Sequence, residues 1–270
     1  MGIQTLSELG FLPVQGRKIE YQSFTPPRDG PSRSTIVLLH EGLGSVAMWK
    51  DFPVQLAAAT GAQVFAYSRF GYGRSDPAPK PYHALQMHRA EALDVLPEVI
   101  DSLGLHRPIL FGHSDGASIA LMYAGANPRL VAGLVVLAPH VFVEDLCIAS
   151  IEEARRSYLT TDLKLKLARY HNDPDRAFWS WNNIWLDPAF RAWNIEQDLR
   201  PISCPVLAAQ GYEDEYGTME QLERLRHAIP CLQSLKLRGC RHSPHRDRPE
   251  AVLRAVAAWE PALTPQTQSS

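Results

Sequence analysis

The sequence predicts an α/β fold, with a mainly parallel central sheet, helices on both faces and an inserted helical cap. Short uninterrupted apolar runs alternate with longer stretches of helical periodicity, the pattern of repeated βαβ units. One long stretch, from about 144 to 200, carries no strand candidate and interrupts that alternation. Of 270 residues, 45% are hydrophobic and 21% charged, which excludes a disordered chain, a collagen and a coiled coil.

Lys18 to Phe24 alternates at period two and reads as an antiparallel edge strand near the start. Thr35-Ile36-Val37-Leu38-Leu39 is β-branched and unbroken, as a strand buried on both faces requires. Val64 to Tyr67, Ile109 to Phe111, Leu134 to Leu137 and Val206 to Ala209 have the same character. Helical patterns at about 50–60, 84–103 and 115–126 lie between them. Ser234 to Leu237 reads as a last strand and 249–259 as a closing helix. In the stretch without strands, Asp173-Pro174 and Asp187-Pro188 punctuate helices. The domain reading is therefore a core of 1–143 and 201–270, with 144–200 as a helical lid. The polar tail, Pro261 to Ser270, is expected to fray.

A net charge of -2 supplies no field for nucleic acid or an anionic membrane surface. The longest apolar runs fall well short of the roughly 20 residues of a membrane span. The N-terminus lacks the cationic start and apolar core of a secretory signal, and Leu6 breaks a myristoylation pattern. Cys147, Cys204, Cys231 and Cys240 form no C-x-x-C pair and read as reduced thiols of a cytoplasmic protein. The expected partner is a small-molecule substrate. Nucleic acid and membrane are not expected, and a homodimer is left open.

Gly112-His113-Ser114-Asp115-Gly116 follows a predicted strand and opens a predicted helix. G-x-S-x-G in that setting sets a serine on a sharp, strained turn, and the glycines let the backbones pass closely. The Ser114 hydroxyl then projects above the sheet at the positive end of the helix. The backbone N–H of Asp115 points into the same space and can donate to an oxyanion. The Asp115 side chain is expected to turn back to the first-turn amides. The competing reading of the motif is a Gly-rich turn with an N-cap serine.

With this motif in place, nearly the whole chain resembles the α/β-hydrolase fold superfamily, in its branch of serine esterases and C–C bond hydrolases with a helical cap. The order of strand, GHSDG, lid, acid and histidine is that family's order. Leu39-His40-Glu41-Gly42-Leu43-Gly44-Ser45 resembles its oxyanion loop, although glycine falls one place later than the common His-Gly. The resemblance implies the backbone N–H of Gly42 as the second oxyanion donor, with Leu43 next in line. It makes Tyr67 to Ser75 a structural loop. It places the base after the last strand, in Gly239-Cys240-Arg241-His242-Ser243-Pro244-His245, where His242 is favoured and His245 remains open. It places the acid three residues after Gly211, at Asp214, with Glu213 and Glu215 as runners-up.

A serine hydroxyl needs such a base, and the base needs a carboxylate to fix its tautomer. No H-E-x-x-H, P-loop or dinucleotide fingerprint occurs, so neither metal nor nucleotide cofactor is expected. His140, where the chain leaves the core for the lid, either orients a polar group of the substrate or bonds to loop carbonyls. Phe178, Trp181 and Trp185 recur on one helix face; they pack the lid onto the core or line an apolar pocket. The expected activity is hydrolysis of a small apolar or aromatic ester by a Ser114-His242-Asp214 triad. C–C hydrolysis of a vinylogous diketone, lactonase, amidase and thioesterase activities stay open, as do a cofactor-free oxygenase and a non-catalytic receptor on the same fold.

Overall fold

The computed structural model describes residues 6–26, 34–230 and 232–259. In chain order the strands are β1 Leu6–Val14, β2 Arg17–Thr25, β3 Thr35–Leu39, β4 Gln63–Tyr67, β5 Ile109–His113, β6 Gly133–Leu137, β7 Val206–Gly211 and β8 Gln233–Leu237. They form one sheet in the order β1-β2-β4-β3-β5-β6-β7-β8. β1 and β2 run antiparallel to their neighbours, and all pairings from β4 to β8 are parallel.

The helices are α1 Phe52–Thr60, α2 Met87–Ala90, α3 Leu96–Ser102, α4 Asp115–Ala126, α5 Asp145–Thr160, α6 Leu163–Leu167, α7 Pro174–Trp185, α8 Glu196–Leu199, α9 Glu220–Ala228, α10 Pro244–Asp247 and α11 Pro249–Ala258. Between β6 and β7 the described chain forms only helices, apart from a single bridge from Phe142 to Asn194. The two Asp-Pro pairs act as the sequence suggests. Asp173 accepts from the Arg176 N–H and Asp187 from the Ala189 N–H, with proline in the first turn after each.

The apolar runs are continuous because both sheet faces are covered. In β3, Ile36 and Leu38 join one buried cluster while Val37 and Leu39 join the other. β5 divides likewise, with Ile109 and Phe111 on one side and Leu110 on the other.

One expectation about the strands needs correction. The strand at 18–24 is not an edge, because β1 pairs along its full length. β1 leaves Leu6, Leu9 and Phe11 exposed and buries only Leu12 and Val14, so its hydrophobic signal is too weak to read as a strand. The helical stretch read at 84–103 is helical from Ala84 to Ser102, built as a 3-10 turn, α2, a π segment at Glu91–Val95 and α3. Pro97 cannot donate to the preceding turn, and the wider π register accommodates that missing N–H. The readings of the tail from Pro261 and of Cys231 fall outside the described residues. Among those residues, no helix is long and apolar enough to cross a membrane.

Helix α4 crosses α8 so closely that a Cβ added at Gly125 overlaps the Asp198 carbonyl. Backbone cannot rotate aside as a flexible side chain does, so the helices must part. We expect Gly125→Ala to lose about 1–2 kcal/mol, the overpacking cost exceeding the gain in helix propensity. A urea titration checks this; an unchanged or higher midpoint contradicts it.

Candidate active site

β5 ends at His113 and α4 begins at Asp115, so a single residue, Ser114, makes the turn. It does so at φ 53° and ψ −118°, a region that L-residues avoid. Glycine is required on both sides. A Cβ at Gly112 overlaps the backbone of Gly116 and Ala117, and one at Gly116 overlaps the Leu39 carbonyl on β3. The Ser114 N–H donates to the Leu137 carbonyl across β6, at 2.9 Å, which fixes the turn.

Ser114 Oγ lies 3.0 Å from His242 Nε2. The other ring nitrogen, His242 Nδ1, is 2.8 and 3.0 Å from the two Asp214 carboxylate oxygens. Asp214 also accepts from the backbone N–H groups of Tyr216 and Gly217 and from Gln210 Nε2, at 2.8, 3.3 and 2.7 Å. Burial alone pushes the Asp214 carboxyl up, but the His242 imidazole and these donors outweigh it and hold it below its usual range. For His242 burial acts downward, and Asp214 overcomes it, so the imidazole sits above its ordinary value.

The runners-up take other places. Glu213 accepts from the Cys240 N–H, and Glu215 accepts from the His242 N–H while pairing with Arg241; neither has a bond to the His242 ring. His245 is buried among Trp49, Phe52 and His113, with ring centroids at 4.9, 5.4 and 4.9 Å. It is not among the residues lining the pocket at Ser114.

That pocket encloses about 100 Å³ and brings together Ser114, His242, Gly42, Leu43, His140, Trp181 and Trp185. Cys147, Ile151, Tyr216 and Glu41 complete it. Gly42 has a specific reason to be glycine, since a Cβ there overlaps the Trp181 indole. No hydrogen bond joins the backbone N–H of Gly42 or of Asp115 to another described residue. The His140 ring packs against Trp185 and His242, at 5.0 and 5.7 Å, and its Nδ1 has no partner among the described residues. Burial, then the nearby His242, lowers the His140 imidazole to about 3, so it stays neutral at ordinary pH.

The Asp115 side chain does not turn to the first-turn amides. Its Oδ1 accepts from His88 Nε2 and Trp185 Nε1, both at 3.1 Å, and its Oδ2 lies 3.7 Å from Arg69 Nη2. In a dry site a full cation and two N–H donors stabilise a carboxylate better than a helix end does. Burial pushes this carboxyl up, but His88 and then Arg69 outweigh it and hold it well below the usual range.

Sequence reasoning also passed over His113, the variable residue before Ser114. Its Nε2 donates to the His242 carbonyl at 2.7 Å, and its Nδ1 is 3.5 Å from Glu41 Oε2. His113 thus ties the loop of the base to the loop of Gly42. Its position inside the motif was the available signal. His88 had none, because only packing brings it beneath Asp115. Among the described residues, no group of three or more His, Cys, Asp or Glu is placed to hold a metal ion.

A family model described as "Alpha/beta hydrolase family" matches residues 36–255. Carboxylesterase YbfK of Bacillus subtilis is 26% identical over 250 residues, covering 86% of this chain and 81% of that protein. A 2-hydroxy-6-oxononadienedioate/2-hydroxy-6-oxononatrienedioate hydrolase of Cupriavidus pinatubonensis is 28% identical over 140 residues, 50% of this chain and 47% of that one. Among solved structures, the enol-lactonase of Burkholderia xenovorans superposes with a TM-score of 0.72 at 19% identity, covering 93% of this chain and 99% of that one.

The buried Asp115 cluster yields a stability prediction. Asp115→Leu strips His88 and Trp185 of their acceptor and leaves the Arg69 charge uncompensated. We expect a loss of about 3–5 kcal/mol, read by chemical denaturation. A change within 1 kcal/mol of zero contradicts this account.

Proposed function

The chain belongs to the alpha/beta hydrolase family, and on that premise we propose that it cleaves a small apolar or aromatic ester through Ser114, His242 and Asp214. The observation that carries the reading is the unbroken hydrogen-bond path from Ser114 Oγ through the His242 ring to Asp214. Ser114 attacks the carbonyl carbon as His242 Nε2 takes its proton. Asp214 holds the ring by Nδ1 and stabilises the cation that forms. The N–H groups of Asp115 and Gly42, uncommitted among the described residues, receive the oxyanion. His242 then protonates the leaving alcohol, the acyl-enzyme forms, and a water activated by His242 releases the acid.

The pocket supports a small acyl group. At about 100 Å³, walled by Trp181, Trp185, Ile151 and Cys147, it has room for only a few heavy atoms. The resemblance to a carboxylesterase over most of both chains supports the ester, while the match to a C–C hydrolase covers half of this chain. The same triad serves both bonds, so a panel of p-nitrophenyl esters of rising acyl length, run beside a meta-cleavage diketone, is the direct test. We expect acetate and propionate esters to be cleaved fastest. A preference for the diketone or for long chains overturns the substrate reading.

Two further outcomes test the triad. A fluorophosphonate probe is expected to label the protein and to leave Ser114→Ala unlabelled. The rate must also follow the neutral fraction of His242. Because Asp214 raises that imidazole, the acid limb of kcat/KM should have its midpoint above the ordinary value of about 6.5, with activity lost as pH falls through it. Asp214→Asn should lower kcat by about 10⁴ and move the limb downward. Labelling that persists in Ser114→Ala, or a limb that ignores Asp214→Asn, contradicts the proposal.

A further inference from the structure

Helix α7 separates two cavities. Phe178, Trp181 and Trp185 face the core and the catalytic pocket, while Arg176, Trp179, Ser180 and Asn183 line a second space on its other side. This second cavity holds about 410 Å³, some four times the volume at Ser114, and shares none of the catalytic pocket's lining residues. Its opposite wall is the loop that follows β4 and the start of α2. The proposed esterase chemistry uses none of it.

The lining has a definite chemical character. Tyr72, Tyr82 and Trp179 supply aromatic surface, and Arg69, Lys80 and Arg176 supply cationic groups. Arg69 lies at the buried end, 1% exposed. A guanidinium has five N–H donors. Arg69 makes one bond to the Glu41 carbonyl at 3.1 Å and one long contact to Met87 Sδ at 3.7 Å, and its Nε has no partner. Its nearest carboxylate oxygen, on Asp115, stands off at 3.7 Å, and that group is already shared by His88 and Trp185. At the open end Lys80 makes no ion pair among the described residues, and Arg176 is held by Asp173 through Nε.

The one acid in the lining is Glu91. Its Oε1 accepts from the Tyr82 hydroxyl at 2.7 Å, and its buried Oε2 has no partner. Burial shifts this carboxyl upward, toward the neutral acid, although Arg69 pulls the other way. Against the three cationic groups it is a single carboxyl, already bonded to Tyr82. What the lining lacks is an anion with a flat apolar body.

We propose that this cavity is a second ligand site, separate from the catalytic pocket, that takes a planar aromatic carboxylate. The carboxylate meets Lys80 and Arg176 at the open end and faces the buried Arg69 charge, and the ring system lies against Tyr82 and Trp179. Arg69 also holds the Glu41 carbonyl, one residue before Gly42, so an occupant touches the side chain that supports the oxyanion loop.

The test is calorimetric titration of the full chain with 2-naphthoate, beside its neutral counterpart 2-naphthamide. We expect saturable binding of the carboxylate, at least about tenfold tighter than the amide. Lys80→Gln with Arg176→Gln, both exposed changes, should weaken the carboxylate about fivefold and leave the amide unchanged. Ser180→Trp fills this cavity and should abolish binding, while Cys147→Leu fills the catalytic pocket and should not affect it. Equal binding of acid and amide overturns the anion assignment. Loss of binding in Cys147→Leu with retention in Ser180→Trp places the ligand at Ser114 and overturns the second site, as does an absence of saturable binding at millimolar ligand. None of these readouts requires Ser114 to react, so they stand apart from the esterase reading.

Discussion

Helix α4 leaves β5 through one residue and immediately passes over β3, and Gly112 and Gly116 stand where the backbones come too close for a Cβ. That crossing fixes the strained φ of Ser114 and aims its hydroxyl away from the sheet. It also leaves the first N–H groups of α4 open at the same point, where a negative charge is favoured by the helix end. The strain at Ser114 persists because β6 holds its N–H and the packed sheet leaves no alternative path. Every other feature of the site is arranged around that fixed point.

Two layers of polar groups meet there, and both obey the cost of burying charge. On one side Asp214 gathers bonds from His242, Gln210, Tyr216 and Gly217. On the other, Asp115 gathers His88 and Trp185 and faces Arg69. A carboxylate beside the proposed nucleophile looks at first like an obstacle to an oxyanion. Neutralised from behind, it becomes the anchor for Trp185, a residue of α7 that also walls the pocket at Ser114. Helix α7 is thus joined to the residue that follows Ser114 by a buried hydrogen bond as well as by apolar packing.

Helix α7 also bears on position 42. Its Trp181 indole fills the space over Gly42, which requires glycine at 42 and leaves 41 to carry a side chain. Glu41 uses that freedom to face His113, whose other nitrogen holds the carbonyl of His242. Burial raises the Glu41 carboxyl, and the facing His113 imidazole outweighs burial and keeps it well below the usual range. Through His113, the loop that carries Gly42 thus braces the loop that carries His242.

The sequence by itself determined the parallel sheet, the helical stretch between β6 and β7, and the sharp turn at Ser114, because each rests on local periodicity or on glycine at fixed offsets. β1 escaped it, since a strand that buries two side chains leaves little pattern. The choice of His242 over His245, and of Asp214 over its flanking glutamates, came from the resemblance to the α/β-hydrolase fold; the tertiary structure brings His242 to Ser114 and Asp214 to His242. Only the tertiary structure decided where Asp115 points, that His88 and Arg69 lie beneath it, and that α7 divides two cavities. Those outcomes depend on residues tens of positions apart meeting in a medium of low dielectric, where the strength of a charge is set by its neighbours in space. No spacing along a single chain encodes that.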